Sequence, residues 1–259
     1  MPAEQRKPTD KRVALVTGSG QGIGRATAER LAADGFHVVV LDKNTDTMQE
    51  VVEHINSRVG EASGFACEAT DPGSVAEVFG RIRAEVGEVH ALVNNVGKDS
   101  PKWFVQTDEA LWAELIALNF MVTLRMTHHV LPGMIERRAG RIVNIATDAA
   151  RSGSAMESIY AGAKGGIISF TKSIANESAK YGVTANVVSP GPIATPAFKE
   201  LMGNQKDTEA QVARMVGQVP MRRLGEPAEV AAAVSFFVSD GASYVTGQTL
   251  SVSGGRTMV

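Results

Sequence analysis

The 259-residue chain has one cysteine, two tryptophans and no excess of either charge, and each scarcity excludes something. A lone thiol, Cys67, can neither close an internal disulfide nor build a thiolate zinc site; it reads as a small buried apolar residue. With 26 Lys and Arg against 28 Asp and Glu, the formal charge of −2 offers no basic field for phosphate backbones or anionic lipid. Nucleic acid and membrane are therefore not expected partners. No 18 apolar residues run consecutively, and the polar start MPAEQRKPTDKR lacks the apolar stretch of an export signal. A cytoplasmic chain is expected, with residues 1–11 a flexible segment. Linkers rich in Pro, Ser or Gly, low-complexity tracts and repeats are also missing, so 12–259 reads as a single domain.

What is present is alternation. Short Val/Ile/Leu-rich runs at 13–17, 37–41, 64–67, 91–94, 141–145, 184–188 and 249–252 read as strands. Segments of helical period at 22–34, 45–59, 72–86, 108–138, 158–181 and 227–239 lie between them. This order specifies an α/β fold, a doubly wound parallel seven-stranded sheet of Rossmann type. Asp71 before Pro72 and Glu226 before Pro227 supply helix starts. The irregular, charge-mixed stretch 195–217 falls where a substrate lid would sit.

The first strand runs into TGSGQGIG at 17–24 and then into a helix. Glycines in such a turn let backbone N–H groups and the helix N-terminus face a pyrophosphate. A glycine-rich turn alone is weak; a strand before, a helix after and an acid at the end of the next strand sharpen it. That acid is Asp42, placed to accept both ribose hydroxyls of NAD and to repel a 2′-phosphate. Lys43 beside it would partly tolerate the phosphate of NADP. NAD is favoured because Ser19 and Gly20 leave the turn without an arginine.

These motifs, with NNVG at 94–97, Asn119, Tyr160-Ala-Gly-Ala-Lys164 and PGPIAT at 190–195, resemble the short-chain dehydrogenases/reductases along nearly the whole chain. The resemblance implies a dinucleotide site formed by Gly18, Ser19, Gln21, Gly22, Ile23, Gly24, Asp42, Glu68, Ala69, Asn95, Val96, Gly97, Tyr160, Lys164, Pro190, Gly191, Ile193 and Thr195. It implies that Asn94 steadies the central strand, that Ile193 and Thr195 hold the nicotinamide, and that Asn119, Thr147, Tyr160 and Lys164 are catalytic, Asn119 through an ordered water leading to the lysine. Two positions depart from the family pattern. Glu68-Ala69 replaces Asp-Val, and Thr147 stands where the family has serine; a threonine hydroxyl donates equally, but its methyl group restricts χ1.

Oxidising a secondary alcohol needs a base, a hydride acceptor and donors around the oxygen. Tyr160 and Lys164, four apart on a helix, project from one face. A tyrosine of pKa about 10 is a poor base, each unit of lowering requiring about 1.4 kcal/mol. An ammonium roughly 4 Å away contributes up to about 4 kcal/mol at an effective dielectric near 20 before burial subtracts, and the positive ring of NAD⁺ adds in the same direction, so a phenolate near neutral pH is attainable.

Other features carry blander readings. His128 and His129 are adjacent, point to different sides of a helix and cannot share a metal, so none is expected. Ser169-Phe-Thr-Lys172 matches an acylating-serine pattern without its companion motifs. Trp103, Phe104 and Trp112 either line a pocket or pack, and Arg151 reads as an exposed loop charge or a greeting for an anionic substrate. The stretches 128–154 and 249–258 are most similar to family members that oxidise alicyclic hydroxyacyl-CoA thioesters. The expected substrate is accordingly an alicyclic hydroxy acid or hydroxyacyl-CoA, oxidised with NAD. A 3-oxoacyl reductase, a steroid or dihydrodiol dehydrogenase, or a non-catalytic dinucleotide sensor remain alternatives. Family members are commonly homotetramers built through two long helices and the last strand; the small residues Ala161, Ala163, Gly165 and Gly166 would allow such an approach, or would pack within one subunit.

Overall fold

The computed structural model describes residues 11–203 and 208–258; residues 1–10 of the N-terminal segment, 204–207 of the expected lid and residue 259 lie outside them. Seven parallel strands form one sheet in the order β3-β2-β1-β4-β5-β6-β7. They are β1 (Val13–Thr17), β2 (His37–Asp42), β3 (Glu61–Ala66), β4 (Val89–Asn94), β5 (Gly140–Ile145), β6 (Val183–Pro190) and β7 (Thr249–Val252). Because strand side chains alternate between faces, both faces of β1 must be covered: Ala14 and Val16 pack on one side, Val13 and Leu15 on the other.

Helices α1 (Gly22–Ala33), α2 (Thr45–Arg58) and, later in the chain, Pro227–Val238 cover the first face through Leu31, Val51, Ile55, Val234 and Phe237. The second face is covered by α3 (Pro72–Glu85), a long helix and Ser158–Ser178, through Val78, Ile82, Met126, Val130 and Ala175. Asp71 caps α3 as expected, accepting from the N–H groups of Gly73 (3.2 Å) and Ser74 (2.9 Å).

The long helix differs from the continuous segment expected at 108–138. It consists of α4 (Glu109–Ile116), a wide π turn (Ala117–Met121) and α5 (Val122–Arg137). Its span Glu109–Arg137 has the length and hydropathy of a membrane crossing by composition, yet Val122, Met126, Val130 and Met134 are buried on the sheet. After β5 come α6 (Ala149–Ser152) and α7 (Ser158–Ser178); after β6 come α8 (Pro196–Met202), α9 (Thr208–Gly217) and α10 (Pro227–Val238). The 195–217 stretch therefore carries two helices.

A buried polar ladder ties the middle of the molecule together. Asn94 Nδ2 donates to Asn144 Oδ1 (2.8 Å) on the neighbouring strand, and Asn144 Nδ2 donates to Thr171 Oγ1 (2.8 Å) on α7. Hydrogen bonds in a low-dielectric interior are strong and geometrically demanding, so β4, β5 and α7 are held in a fixed relation. Asn94 thus steadies the central strand, as the resemblance implied.

Candidate active site

The strand order reverses direction at β1 and β4: the helix after β1 covers one face and the helices after β4 the other. The crevice beyond the carboxyl ends of these strands is where such sheets bind ligands. Gly18 bends there with φ +61°, a left-handed conformation that favours glycine. A Cβ on Gly24 would lie 2.1 Å from the Gly18 carbonyl oxygen, so only glycine lets α1 press this closely on the turn. Asn95 buttresses the turn, its Nδ2 donating to the carbonyls of Thr17 and Gly18, both at 3.0 Å.

Asp42 sits at the rim. Its Oδ2 accepts the Gly20 N–H (2.8 Å) and its Oδ1 the Asn44 N–H (3.0 Å), which fixes the carboxylate beside the turn. An open glycine cradle with an anchored carboxylate fits a dinucleotide with free ribose hydroxyls. The Ser19 hydroxyl is fully buried, donating to Val16 O (2.8 Å) and accepting from Leu41 N (3.0 Å), so this side chain binds β1 to β2. Glu68 folds its carboxylate onto Thr70, 2.7 Å from Oγ1. That bond, first, and the Lys43 charge hold Glu68 below the usual carboxylate range. Lys43 thus shares its field with Glu68. Thr195 leans on the turn, its methyl carbon 3.4 Å from where a Gly22 Cβ would be, while its hydroxyl accepts the Phe198 N–H (3.0 Å) and caps α8. Buried Ile193 bridges to Gly225 beside it.

The four expected catalytic residues lie on three elements. Lys164 is 2 % exposed, and its Nζ donates to Ile145 O (3.0 Å) and Val96 O (3.2 Å). Burial pushes its pKa down to about 8. Asn119 sits in the π turn, fully buried; its Nδ2 donates to Lys98 O (2.9 Å) and its Oδ1 accepts the Lys98 N–H (3.0 Å). The side chain thereby clamps the loop after β4. Gly97 passes between these two residues: a Cβ there would lie 2.8 Å from Lys164 Nζ and 2.9 Å from Asn119 Oδ1. A π turn in a helix often marks a functional position, and here it aims Asn119 at that loop.

The expected phenolate is corrected. Burial, then the carboxylates of Asp99 and Glu157, raise the Tyr160 phenol above its ordinary pKa, and a hydrogen bond with Thr147 pulls only weakly the other way. Lys164, committed to two carbonyls, is not among the charges that shift it. Tyr160 is therefore a protonated phenol at neutral pH. Asp99 is a residue the sequence also suggests for the mouth of the site; Glu157 carries no motif, although it stands one helical turn before Tyr160. Arg151 is also corrected: its Nη1 donates to Ser251 Oγ (2.6 Å), and that hydroxyl donates to buried Asp148 Oδ1 (2.7 Å).

The fold, the glycine turn and this Tyr/Lys/Thr/Asn set define a nicotinamide-dependent oxidoreductase framework. The family described as enoyl-(acyl carrier protein) reductase matches residues 18–257, and the chain belongs to the short-chain dehydrogenase/reductase family of oxidoreductases. Among curated relatives, 3-oxoacyl-[acyl-carrier-protein] reductase FabG of Salmonella typhimurium is 40% identical over 249 residues, covering 96% of this chain and 98% of that one. Among solved structures, a variant of the actinorhodin polyketide ketoreductase with NADPH superposes with a TM-score of 0.91 at 32% identity, covering 96% and 99%. A putative gluconate dehydrogenase from Agrobacterium tumefaciens gives 0.89 at 31%, covering 96% and 97%.

Proposed function

We propose that the chain interconverts β-oxoacyl and β-hydroxyacyl thioesters with NAD(H), and that reduction of the ketone is the direction its apo site is set for. The observation that carries this reading is the Tyr160 phenol hydrogen-bonded to Thr147, raised above its ordinary pKa by desolvation. The relatives named as 3-oxoacyl reductases support the substrate class. Asp42, anchored on the glycine turn, supports NAD(H), whereas the structural neighbour was solved with NADPH.

NADH, when bound, would supply the hydride that the carbonyl carbon takes up. As the carbonyl π pair moves onto oxygen, Tyr160 Oη gives that oxygen its proton, leaving alcohol and phenolate. The Thr147 hydroxyl donates to the same oxygen and orients it. Lys164, charged below about pH 8, ties the loop after β4 to the end of β5 through Val96 O and Ile145 O. Solvent returns the proton. Gly18, Gly22 and Gly24 would receive the pyrophosphate, Asp42 the adenosine ribose, and Ile193 and Thr195 the nicotinamide.

The expected 2-hydroxycyclohexanecarboxyl-CoA dehydrogenase activity is the same chemistry on a ring, since that hydroxyl is β to the thioester. The two stretches that suggested it, 128–154 and 249–258, meet through the Arg151–Ser251–Asp148 chain. Assembly as a homotetramer is part of this proposal. It is supported by an apolar groove of about 460 Å³ on the outer faces of α5 and α7, lined by Leu124, Leu131, Phe170 and Ile174. Gly166, by contrast, packs within the subunit against Phe120, whose ring would lie 3.2 Å from a Cβ there.

NADH consumption with an acyclic β-oxoacyl thioester, a 2-oxocyclohexanecarboxyl thioester and a steroid ketone tests the assignment. The two thioesters should be reduced, with NADH preferred over NADPH; reduction of the steroid alone would overturn it.

A further inference from the structure

The loop after β4 and the segment entering α7 are fastened together over the reacting position. The Lys102 N–H donates to Met156 O (2.9 Å), and Met156 is bent into the left-handed region at φ +70° to present that carbonyl. This clasp brings Asp99, half-buried on the first segment, against Glu157, half-buried at the start of the second. The carboxylates act on each other and both act on the Tyr160 phenol. Lys98 and Lys102, the cations on the same loop, are exposed and do not figure among the charges felt by either group.

We infer that Asp99 and Glu157 are specificity-determining residues that exclude substrates bearing a carboxylate beside the reacting carbon and admit the uncharged thioester of the same acid. The inference rests on the β-oxoacyl reading above and adds to it which form of the acyl group the site accepts. The reason is the field. A β-oxo acid presents its carboxylate two bonds from the carbonyl that Tyr160 must reach, in the field of the same two like charges that act on the phenol, in a partly desolvated mouth. A thioester carries no charge there and places its own anionic groups at the far end of a long carrier. Next to this mouth the loop offers apolar surface instead: Phe104 stacks on Trp112 with ring centres 5.6 Å apart, and Trp103 and Phe104 are more than half exposed.

Burial, then Glu157, pushes the Asp99 carboxyl up to about 6, while the Ser100 N–H (2.7 Å) partly opposes this. The exclusion therefore weakens as pH falls from 8 to 5, because Asp99 becomes neutral while a β-oxo acid stays ionised.

The test compares kcat/KM for acetoacetate with that for its N-acetylcysteamine thioester, in the wild type, Asp99→Asn, Glu157→Gln and the double variant. The acid-to-thioester ratio cancels any general change in Tyr160, and it should rise by about tenfold or more in the double variant. In the wild type the same ratio should rise severalfold between pH 8 and pH 5. Turnover of the thioester with a ratio unmoved by both substitution and pH overturns the inference alone. Failure to reduce either compound with NADH or NADPH overturns the β-oxoacyl reading and the inference with it.

Discussion

Tyr160→Phe should lower kcat for ketone reduction by about 10²–10⁴-fold, the range a positioned proton donor contributes. NADH affinity should stay within about twofold. The phenyl ring fills the same space, so packing is retained and only the hydroxyl beside Thr147 is removed. With the donor gone, the hydride can still be offered, but the developing alkoxide has only the Thr147 hydroxyl to neutralise it, and a hydrogen bond is not a proton. Rapid kinetics with fluorescence titration of NADH separates the two quantities. A kcat near the wild-type value would mean that another group protonates the product, and Lys164, buried and bonded to two carbonyls, is poorly placed to do so.

Asp42→Asn should weaken NADH binding by roughly 10- to 100-fold and narrow or reverse the preference over NADPH. A hydrogen bond to a charged group is worth about 1.5–3 kcal/mol, and the amide keeps an acceptor for the Gly20 N–H while losing the charge and one acceptor for the ribose. The turn is thus preserved, which an alanine would not guarantee, since Asp42 holds both Gly20 and Asn44. Dissociation constants for NADH and NADPH, measured on both proteins, check this. Equal affinity of the unmodified protein for the two cofactors would remove Asp42 from the selectivity account.

Much of the fold was readable because parallel strands buried on both faces must be apolar runs. Strands β5 and β6, read at 141–145 and 184–188, and the capped start of α3 are legible in the sequence within two residues. The edge strand β3 was read short, at 64–67, because Glu61-Ala-Ser-Gly has too little apolar character and is fixed by pairing with β2. The π turn was invisible because the apolar period runs on through 108–138; its one signal was Asn119, a polar residue on the buried face. Helix α8 had a signal that was not used, Thr195 as cap before Pro196 at the first turn.

The dinucleotide half of the candidate site was legible because its logic is local, a glycine turn followed at fixed distance by an acid. The catalytic half was legible as residues but not as electrostatics. Spacing puts Lys164 on the same face as Tyr160 and predicts it to be the dominant charge. The fold instead directs the ammonium to Ile145 O and Val96 O and brings Asp99 across from a separate loop. A charge's nearest neighbour on its own helix need not be its strongest one, because tertiary packing sets both distance and desolvation.

The state of that phenol is the point on which everything else turns, and titrating it is the most direct test. With tyrosine labelled at 13Cζ and the Tyr160 resonance assigned by its loss in Tyr160→Phe, the chemical shift of the cofactor-free protein should stay that of a neutral phenol past pH 10, above the ordinary tyrosine value of about 10. A midpoint below pH 8 would show a phenolate stabilised in the free protein and would contradict a site set to donate a proton.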